Sequence, residues 1–520
     1  MKLDILDSSV FVAYVLGLLI LALWISRESK QKQKNTEDYF LASKSLPWWA
    51  IGASLIASNI SAEQIIGMSG SGFAIGMAIA SYEWMAAITL LIVGKYMLPI
   101  FLENKIFTMP QYLEQRFDNK VKTVLALFWL AVYVFVNLTA VLWLGGLAIE
   151  TVAGVDWMYG MIFLALFSVA YSLYGGLKAV AYTDILQVVL LVFGGLFLVY
   201  LALDEVSSGQ GVLAGFGILT EQLPNHFDMI LSPDNSNYMS LPGISVLVGG
   251  MWIMNLSYWG FNQYIIQRAL AAKSIKEAQK GIAFAAYLKL LMPIIVVLPG
   301  IAAVVLHPQL SSPDQAYPSM MELMPSGIKG LVFAALVAAV VSSLASMTNS
   351  ISTIFTMDIY SKLQPGKAQK HYVKVGRLAA LASLIIALIV AEPLLGKFDQ
   401  AFQYIQEFTG FFTPGIVVIF LMGMFWSKAS SAGALAAGVG SALFSLILKF
   451  AYPELPFMDR VGIVFLLCLV ICVIVSLLIK DKGVSASVDL KEVSFATETN
   501  FNLATLGVVI ILTALYAVWW

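Results

Sequence analysis

Apolar stretches of about twenty residues recur along the whole chain, separated by shorter polar connections. About twenty residues is the helix length needed to cross a bilayer's hydrocarbon, which is roughly 30 Å thick. The pattern predicts spanning helices near 8–26, 47–70, 78–100, 120–148, 157–174, 181–203, 240–259, 281–306, 327–357, 375–392, 399–424, 430–451, 461–479 and 502–520, about fourteen in all. Two of them differ from the rest. In ASLIASNISAEQIIGMSGSG, Ala53–Gly72, residues Ser58, Asn59, Ser61, Glu63 and Gln64 crowd seven positions at membrane depth. In MWIMNLSYWGFNQYIIQR, Met251–Arg268, residues Asn255, Ser257, Tyr258, Gly260, Asn262 and Gln263 fall within nine positions. Lipid offers these groups no partner, so they face a bundle interior or a watery cavity. Ser and Asn also compete with the helical backbone for its hydrogen bonds. A helix interrupted in this way frees backbone groups near the midplane, which is how secondary transporters build their sites. Either stretch alone could be a small polar packing face or a helix end with interfacial aromatics. Two such breaks, five helices apart, fit an inverted-repeat transporter better.

Charge supports the helix count. The basic residues gather in alternate connections: Arg27, Lys30, Lys32, Lys34 and Lys44; Lys105, Arg116, Lys120 and Lys122; Arg268, Lys273, Lys276 and Lys280; Lys362, Lys367, Lys370, Lys374 and Arg377; Lys480, Lys482 and Lys491. The longest connection on the other side, from Leu203 to about Ser240, has no Lys or Arg and reads as a short outer lid. The positive-inside rule therefore predicts a cytoplasmic basic side and both termini outside. Composition agrees: 60% of the residues are hydrophobic and 12% charged, against about 25% charged in soluble domains. A net charge of −1 excludes a basic nucleic-acid surface. Cys468 and Cys472, four apart in an apolar run, are expected to share a buried helix face without forming a disulfide or metal site. Lys2 is followed by Asp4 and Asp7, which is not the pattern of a secretory signal.

Three ionisable residues fall inside predicted spans: Glu83, Lys289 and, near the basic end of its span, Asp184. Glu83 and Lys289 could form a purely structural pair. As cavity residues, one would accept from hydroxyls and the other donate to them, which suits a polyol. Phe402 and Gln406 share one helix face, as do Ala339, Ser342 and Ser343. Small residues at the latter positions either permit close helix packing or offer oxygen ligands to a hard cation. No nucleophile–base pair or metal set is visible, which argues against an enzyme, and the GSGFAIG glycines follow no strand of a nucleotide-binding unit.

Six motifs, in order along nearly the whole chain, resemble the solute:sodium symporter family, and within it the bacterial sodium/galactose symporters. They are ASLIASNISAEQIIGMSGSG, ASYEWMAAITL, YSLYGGLKAVAYTD, NLSYWGFNQYIIQRALAAKS, VVSSLASMTNSISTIFTMDIY and AFQYIQEFTG. The resemblance implies an all-α membrane protein with a LeuT-like core of five-plus-five inverted repeats, helices 1 and 6 of that core being broken. Residues 1–46 would be an accessory helix and linker, 47–205 the first repeat, 206–239 an outer loop, 240–425 the second repeat and 426–520 three accessory helices. It implies sugar contacts at Gln64, Glu83, Asn255, Lys289 and Gln406, an inner aromatic gate at Tyr258, and outer gates at Met68 and Phe402. Sodium would be held by backbone carbonyls of Ala57, Ile60 and Ala339 and by the hydroxyls of Ser342 and Ser343, with Asp184 on the inner ion route. The function implied is sodium-driven import of a neutral hexose across the bacterial inner membrane, with sodium co-transported and no obligatory protein partner. The alternative is a symporter of the same family for an amino acid, carboxylate, vitamin or polyol. Ala86 stands where the sugar-binding relatives carry a serine, so one hydroxyl contact is missing.

Overall fold

The computed structural model describes residues 3–26, 46–106, 108–396, 400–479, 490 and 493–520. The basic positions from Arg27 to Lys44, and Lys480, Lys482 and Lys491, lie outside the described residues. The rest is helical, with no strand among the described residues. In chain order the helices used below are α1 (Ile5–Ser26), α2 (Trp48–Asn59), α3 (Met68–Ala74), α4 (Ser81–Ile92), α5 (Asn119–Val132), α6 (Thr139–Ala153), α7 (Trp157–Val206), α8 (Gly250–Leu256) and α9 (Gln263–Leu270). They continue as α10 (Ile275–Leu306), α11 (Ile328–Thr353), α12 (Gln369–Leu395), α13 (Ala401–Thr409), α14 (Thr413–Phe425), α15 (Ser431–Ala451), α16 (Phe457–Leu478) and α17 (Thr499–Val518).

Among the described residues nine helical segments are long and apolar enough to cross a membrane, or ten if α13 and α14, bent by 46°, form one span. Two shorter apolar stretches, Ile5–Leu21 and Trp157–Ala170, fall at two further expected positions. The remaining two expected spans, near 47–70 and 240–259, do not form continuous apolar helices. One is divided into α2 and α3, the other into short pieces that include α8 and α9. One boundary differs from expectation: the spans near 157–174 and 181–203 run on as the unbroken helical backbone of α7. The polar Tyr182–Thr183–Asp184 step carries no proline and keeps helical hydrogen bonding available.

The break in the first divided segment has a specific backbone cause. The amide of Ser61 turns to Asn59 O at 2.8 Å, and the amides of Gln64 and Ile65 both go to Ser61 O at 3.1 and 3.0 Å. Ala57 O and Ile60 O therefore lose the amides four residues on that a continuous helix would supply. Beyond the break, residues 63–67 form a π turn before α3 begins. Close packing holds α3 in place. A Cβ on Gly300 of α10 would lie 2.1 Å from Ser69 O, and one on Gly72 would lie 2.7 Å from Val297 O. Only glycine allows the two backbones this approach.

The two ends of the bundle are tied differently. At one end Lys122 pairs with Glu114 at 2.5 Å and Asp358 at 2.9 Å, and Lys362 reaches Glu114 at 3.2 Å. Leu46 bridges to Ala272 there, and Lys276 and Lys280 meet Glu498. The described basic connections thus converge on one end. At the other, the buried carboxylate of Asp7 in α1 accepts from the amides of Gly327 and Gly330 at 2.8 and 2.9 Å, and Lys329 pairs with it at 3.1 Å. A carboxylate at the start of α11 satisfies helix amides that have no intrahelical partner and sits at the positive end of the helix dipole. Cys468 and Cys472, four apart on α16, are both buried and free.

Candidate functional site

The divided segments border a partly open cavity lined by both apolar and polar side chains, the mixed lining expected of small-molecule sites. Gln64, Glu83, Asn255, Tyr258, Phe402 and Gln406 all line it, as does Ala86. Phe402 and Gln406 do so from the single face of α13 that their spacing gave them. Glu407, one position on, faces away and pairs with Lys449 at 2.7 Å and Arg460 at 3.2 Å.

Lys289 is placed differently from expectation. It is not among the lining residues and is 0% exposed. Its ammonium lies behind the wall, donating to Glu83 Oε2 at 2.5 Å and to Asn59 Oδ1, over the Trp259 ring at 4.9 Å. It therefore fixes the carboxylate that faces the cavity. Met68 is likewise buried outside the lining, its sulfur accepting from Gln64 Nε2 at 3.2 Å. Tyr82 takes the capping place beside Phe402, the two rings meeting edge to face at 5.1 Å. On the opposite wall Tyr258 Oη accepts from Asn59 Nδ2 at 3.1 Å and from Tyr264 Oη at 3.0 Å. Asn255 Nδ2 bonds back to Met251 O at 3.1 Å, leaving its carbonyl oxygen for the cavity.

Several lining residues were given no site role from sequence: Glu63, Tyr133, Asn137, Asn262 and Thr409. Asn262 Oδ1 accepts from Tyr133 Oη at 2.7 Å, closing a polar ring around one side. Glu63 and Asn262 stood in the two polar interruptions, and Asn137 is a lone amide in an apolar span, so a signal existed for each. What the sequence did not disclose is a backbone device. Three π turns, 63–67, 133–138 and 257–261, border the cavity and supply seven of its lining residues: Glu63, Gln64, Tyr133, Asn137, Ser257, Tyr258 and Trp259. A π turn inserts one residue into the helix, leaves backbone groups loosely paired, and commonly marks a functional site.

A second cluster lies between α2, α7 and α11. Asp184 accepts from Ser342 Oγ at 2.6 Å and Ser54 Oγ at 3.1 Å, and Arg268 lies 4.0 Å from it. Because Ser342 gives its proton to Asp184, its oxygen lone pairs remain for another partner. Ser343 Oγ is fully buried with no hydrogen-bond partner among the described residues. A buried hydroxyl left unpaired calls for an explanation such as an ion. The freed carbonyls of Ala57 and Ile60 lie at the C-terminal end of the packed neighbour α2 and just past it. Oxygen donors without a surrounding shell of acids suit a monovalent hard cation. Among the described residues no group of three His, Cys, Asp or Glu could hold a transition metal.

The connection between α7 and α8 closes over the end of α3: His226 lies 3.2 Å from Phe73 O, and Asn237 Nδ2 donates to Ala74 O at 3.0 Å. Asp314, on the connection between α10 and α11, accepts from the Ala401 amide at 2.9 Å at the start of α13, its other oxygen unpaired and buried against Gly70. Burial pushes its carboxyl up to about 7, and the Ala401 amide only partly opposes this.

The comparisons with known proteins accord with this geometry. Residues 39–440 match the model of the sodium:solute symporter family. The chain is 53% identical to a sodium/glucose cotransporter of Vibrio parahaemolyticus, over 100% of this chain and 99% of that one. It is 34% identical to a sodium/myo-inositol cotransporter 2 of Bos taurus, over 86% of this chain and 71% of that one. Among solved structures it superposes on a Na+-coupled sialic acid symporter, substrate-bound and outward-open, with a TM-score of 0.78 at 23% identity, covering 92% of this chain and 98% of that one. At this identity the likeness concerns the fold.

Proposed function

We propose that this chain, which belongs to the sodium:solute symporter family, works by binding its sugar in the central cavity and its ion in the α2–α7–α11 cluster. The protein is a sodium-coupled sugar symporter of the membrane, not an enzyme. The observation carrying the site assignment is the polar cavity at the two helix breaks, where Gln64, Glu83, Asn255 and Gln406 converge. Glu83 and the amide oxygens accept from sugar hydroxyls, while Gln64 and Gln406 also donate; Lys289 acts through Glu83 and Asn59. Sodium would be held by the Ala57, Ile60 and Ala339 carbonyls and the Ser342 and Ser343 hydroxyls, and Asp184 orients Ser342 and marks the inner way out. An ion bridging α2 and α11 favours the state in which the cavity is formed, and this difference in affinity between states is the coupling. The deciding experiment is uptake into proteoliposomes of a panel of labelled hexoses and polyols, with and without an inward sodium gradient. Uptake of a hexose only with the gradient is expected. A sodium-dependent preference for an anionic solute would overturn the neutral-sugar assignment.

In this reading about fourteen spans, the two within α7 counted separately, include a five-plus-five inverted-repeat core whose first and sixth helices are divided. Both termini face outward, and the membrane is the bacterial inner membrane. The convergence of the basic connections on one end and the docking of Asp7 at the other support that topology. Single cysteines placed within 361–377 are expected to react with an impermeant maleimide only from inside, and those within 209–237 only from outside. Labelling of both from one side would overturn the orientation.

Asp314 ties the connection between α10 and α11 to the start of α13, and that tie carries a pH dependence. While it is formed, burial holds the carboxyl up at about 7; released into water it would return to about 3.9. The tied state therefore holds the proton more tightly, and acid stabilises it. The helical segments packed on Asp314 carry Tyr317, Glu150 and Glu63 as ionisable groups, but only burial and the Ala401 amide move it. Lowering external pH from about 8 to about 5 is expected to slow sugar entry. Asp314→Asn should give a flatter profile over that range. The same profile in both proteins would remove Asp314 from the transport cycle.

A further inference from the structure

Glu63 is the lining carboxylate that the sugar reading leaves without a task. It sits in the π turn that opens the cavity, and among the described residues it takes no hydrogen bond or ion pair. The groups that could neutralise it are engaged elsewhere. Lys289 donates to Glu83 and to Asn59. Asn59 Nδ2 is on Tyr258 Oη, which also accepts from Tyr264. Glu63 and Glu83 against Lys289 give the site a formal charge of −1, with the excess at Glu63, on the cavity side. A half-buried carboxylate without a partner is poorly solvated, and a ligand that brings the opposite charge offsets that cost.

We infer that Glu63 makes the site a binder of hexoses carrying a protonated amine, so that aminohexoses are a further class of transported substrate and uronic acids are rejected. This rests on the sugar-symport reading and extends it to a charged class. An ammonium facing Glu63 would gain a charge-assisted hydrogen bond that a hydroxyl at the same carbon cannot make as strongly. N-acetylation would remove the charge and with it the advantage. A carboxylate on the sugar would meet two like charges at short range.

The test is sodium-driven uptake of labelled glucose into proteoliposomes at pH about 6.5, where an amine is charged, with glucosamine, N-acetylglucosamine and glucuronate as competitors and labelled glucosamine as a second substrate. Glucosamine is expected to be taken up and to compete as well as unlabelled glucose does, while the other two compete poorly. Glu63→Gln should raise the glucosamine concentration needed for half-inhibition about tenfold, with the value for unlabelled glucose changing far less. Glu63→Asp, which keeps the charge, should retain the wild-type order of preference. Glucose uptake without glucosamine uptake in the wild type would overturn the inference while leaving the sugar reading intact. An equal loss of both sugars in Glu63→Gln, or no change in their ratio, would also overturn it. No hexose uptake at all would overturn the sugar reading itself.

Discussion

Glu83→Gln and Lys289→Met are each expected to weaken sugar binding roughly tenfold or more, and the double variant no further than either alone. Hydrogen bonds to charged groups contribute about 1.5–3 kcal/mol, which sets the size of the single losses. The non-additivity follows from the geometry. Glu83 faces the cavity, while Lys289 is sealed behind it with its ammonium 2.5 Å from Glu83 Oε2. Removing Lys289 acts on the sugar by letting the carboxylate drift and by costing the buried charge its partner. Removing Glu83 deletes the contact and leaves the ammonium on Asn59 and the Trp259 ring. Breaking one side of a buried pair costs about 3–5 kcal/mol, so thermal stability is measured alongside sugar affinity. Replacing both partners by neutral groups should recover much of the stability and none of the affinity. Strictly additive affinity losses would mean that Lys289 touches the sugar on its own account. Unchanged affinity in both single variants would make the pair structural only.

Ser343→Ala is expected to raise the sodium concentration for half-maximal sugar uptake roughly tenfold, with maximal uptake approached at high sodium. Its hydroxyl is buried and has no other partner among the described residues, so removing it costs no protein hydrogen bond. Folding should be unaffected or slightly improved, because an unsatisfied polar group is lost. Ser342→Ala should raise the same concentration and also disturb Asp184, whose carboxylate loses the 2.6 Å donor. The two serines are thus separable. Both shift sodium dependence, but only Ser342→Ala should also alter the rate at which sodium leaves to the inner side. Sodium curves that superpose on wild type in both variants would return these serines to helix packing. A full sodium site matters to the size of the sugar gradient: one charge moving down 100 mV supplies about 2.3 kcal/mol, enough for roughly fiftyfold accumulation.

The sequence alone determined the membrane class, most of the long apolar helices, and the two stretches that do not form continuous ones, because a polar group in lipid is expensive wherever the helix points. It also placed Phe402 with Gln406 on one face, since helical spacing is local geometry. What it could not decide is depth and rotation. Glu83 and Lys289 are 206 positions apart and Asp184 and Ser342 are 158; which side of each helix meets the other depends on close approaches such as Gly300 on Ser69. Lys289 and Met68 therefore lie behind the cavity wall, although their residue types suit a place on it. The π turns were illegible for a related reason. Inserting one residue into a helix costs little locally and is settled by the helices packed around it, and that insertion turns Glu63, Asn137 and Tyr258 toward the site. Even the freed carbonyls of Ala57 and Ile60 follow from where three amides turn at Ser61, a choice that many polar stretches could make and that packing against α10 and α11 fixed here.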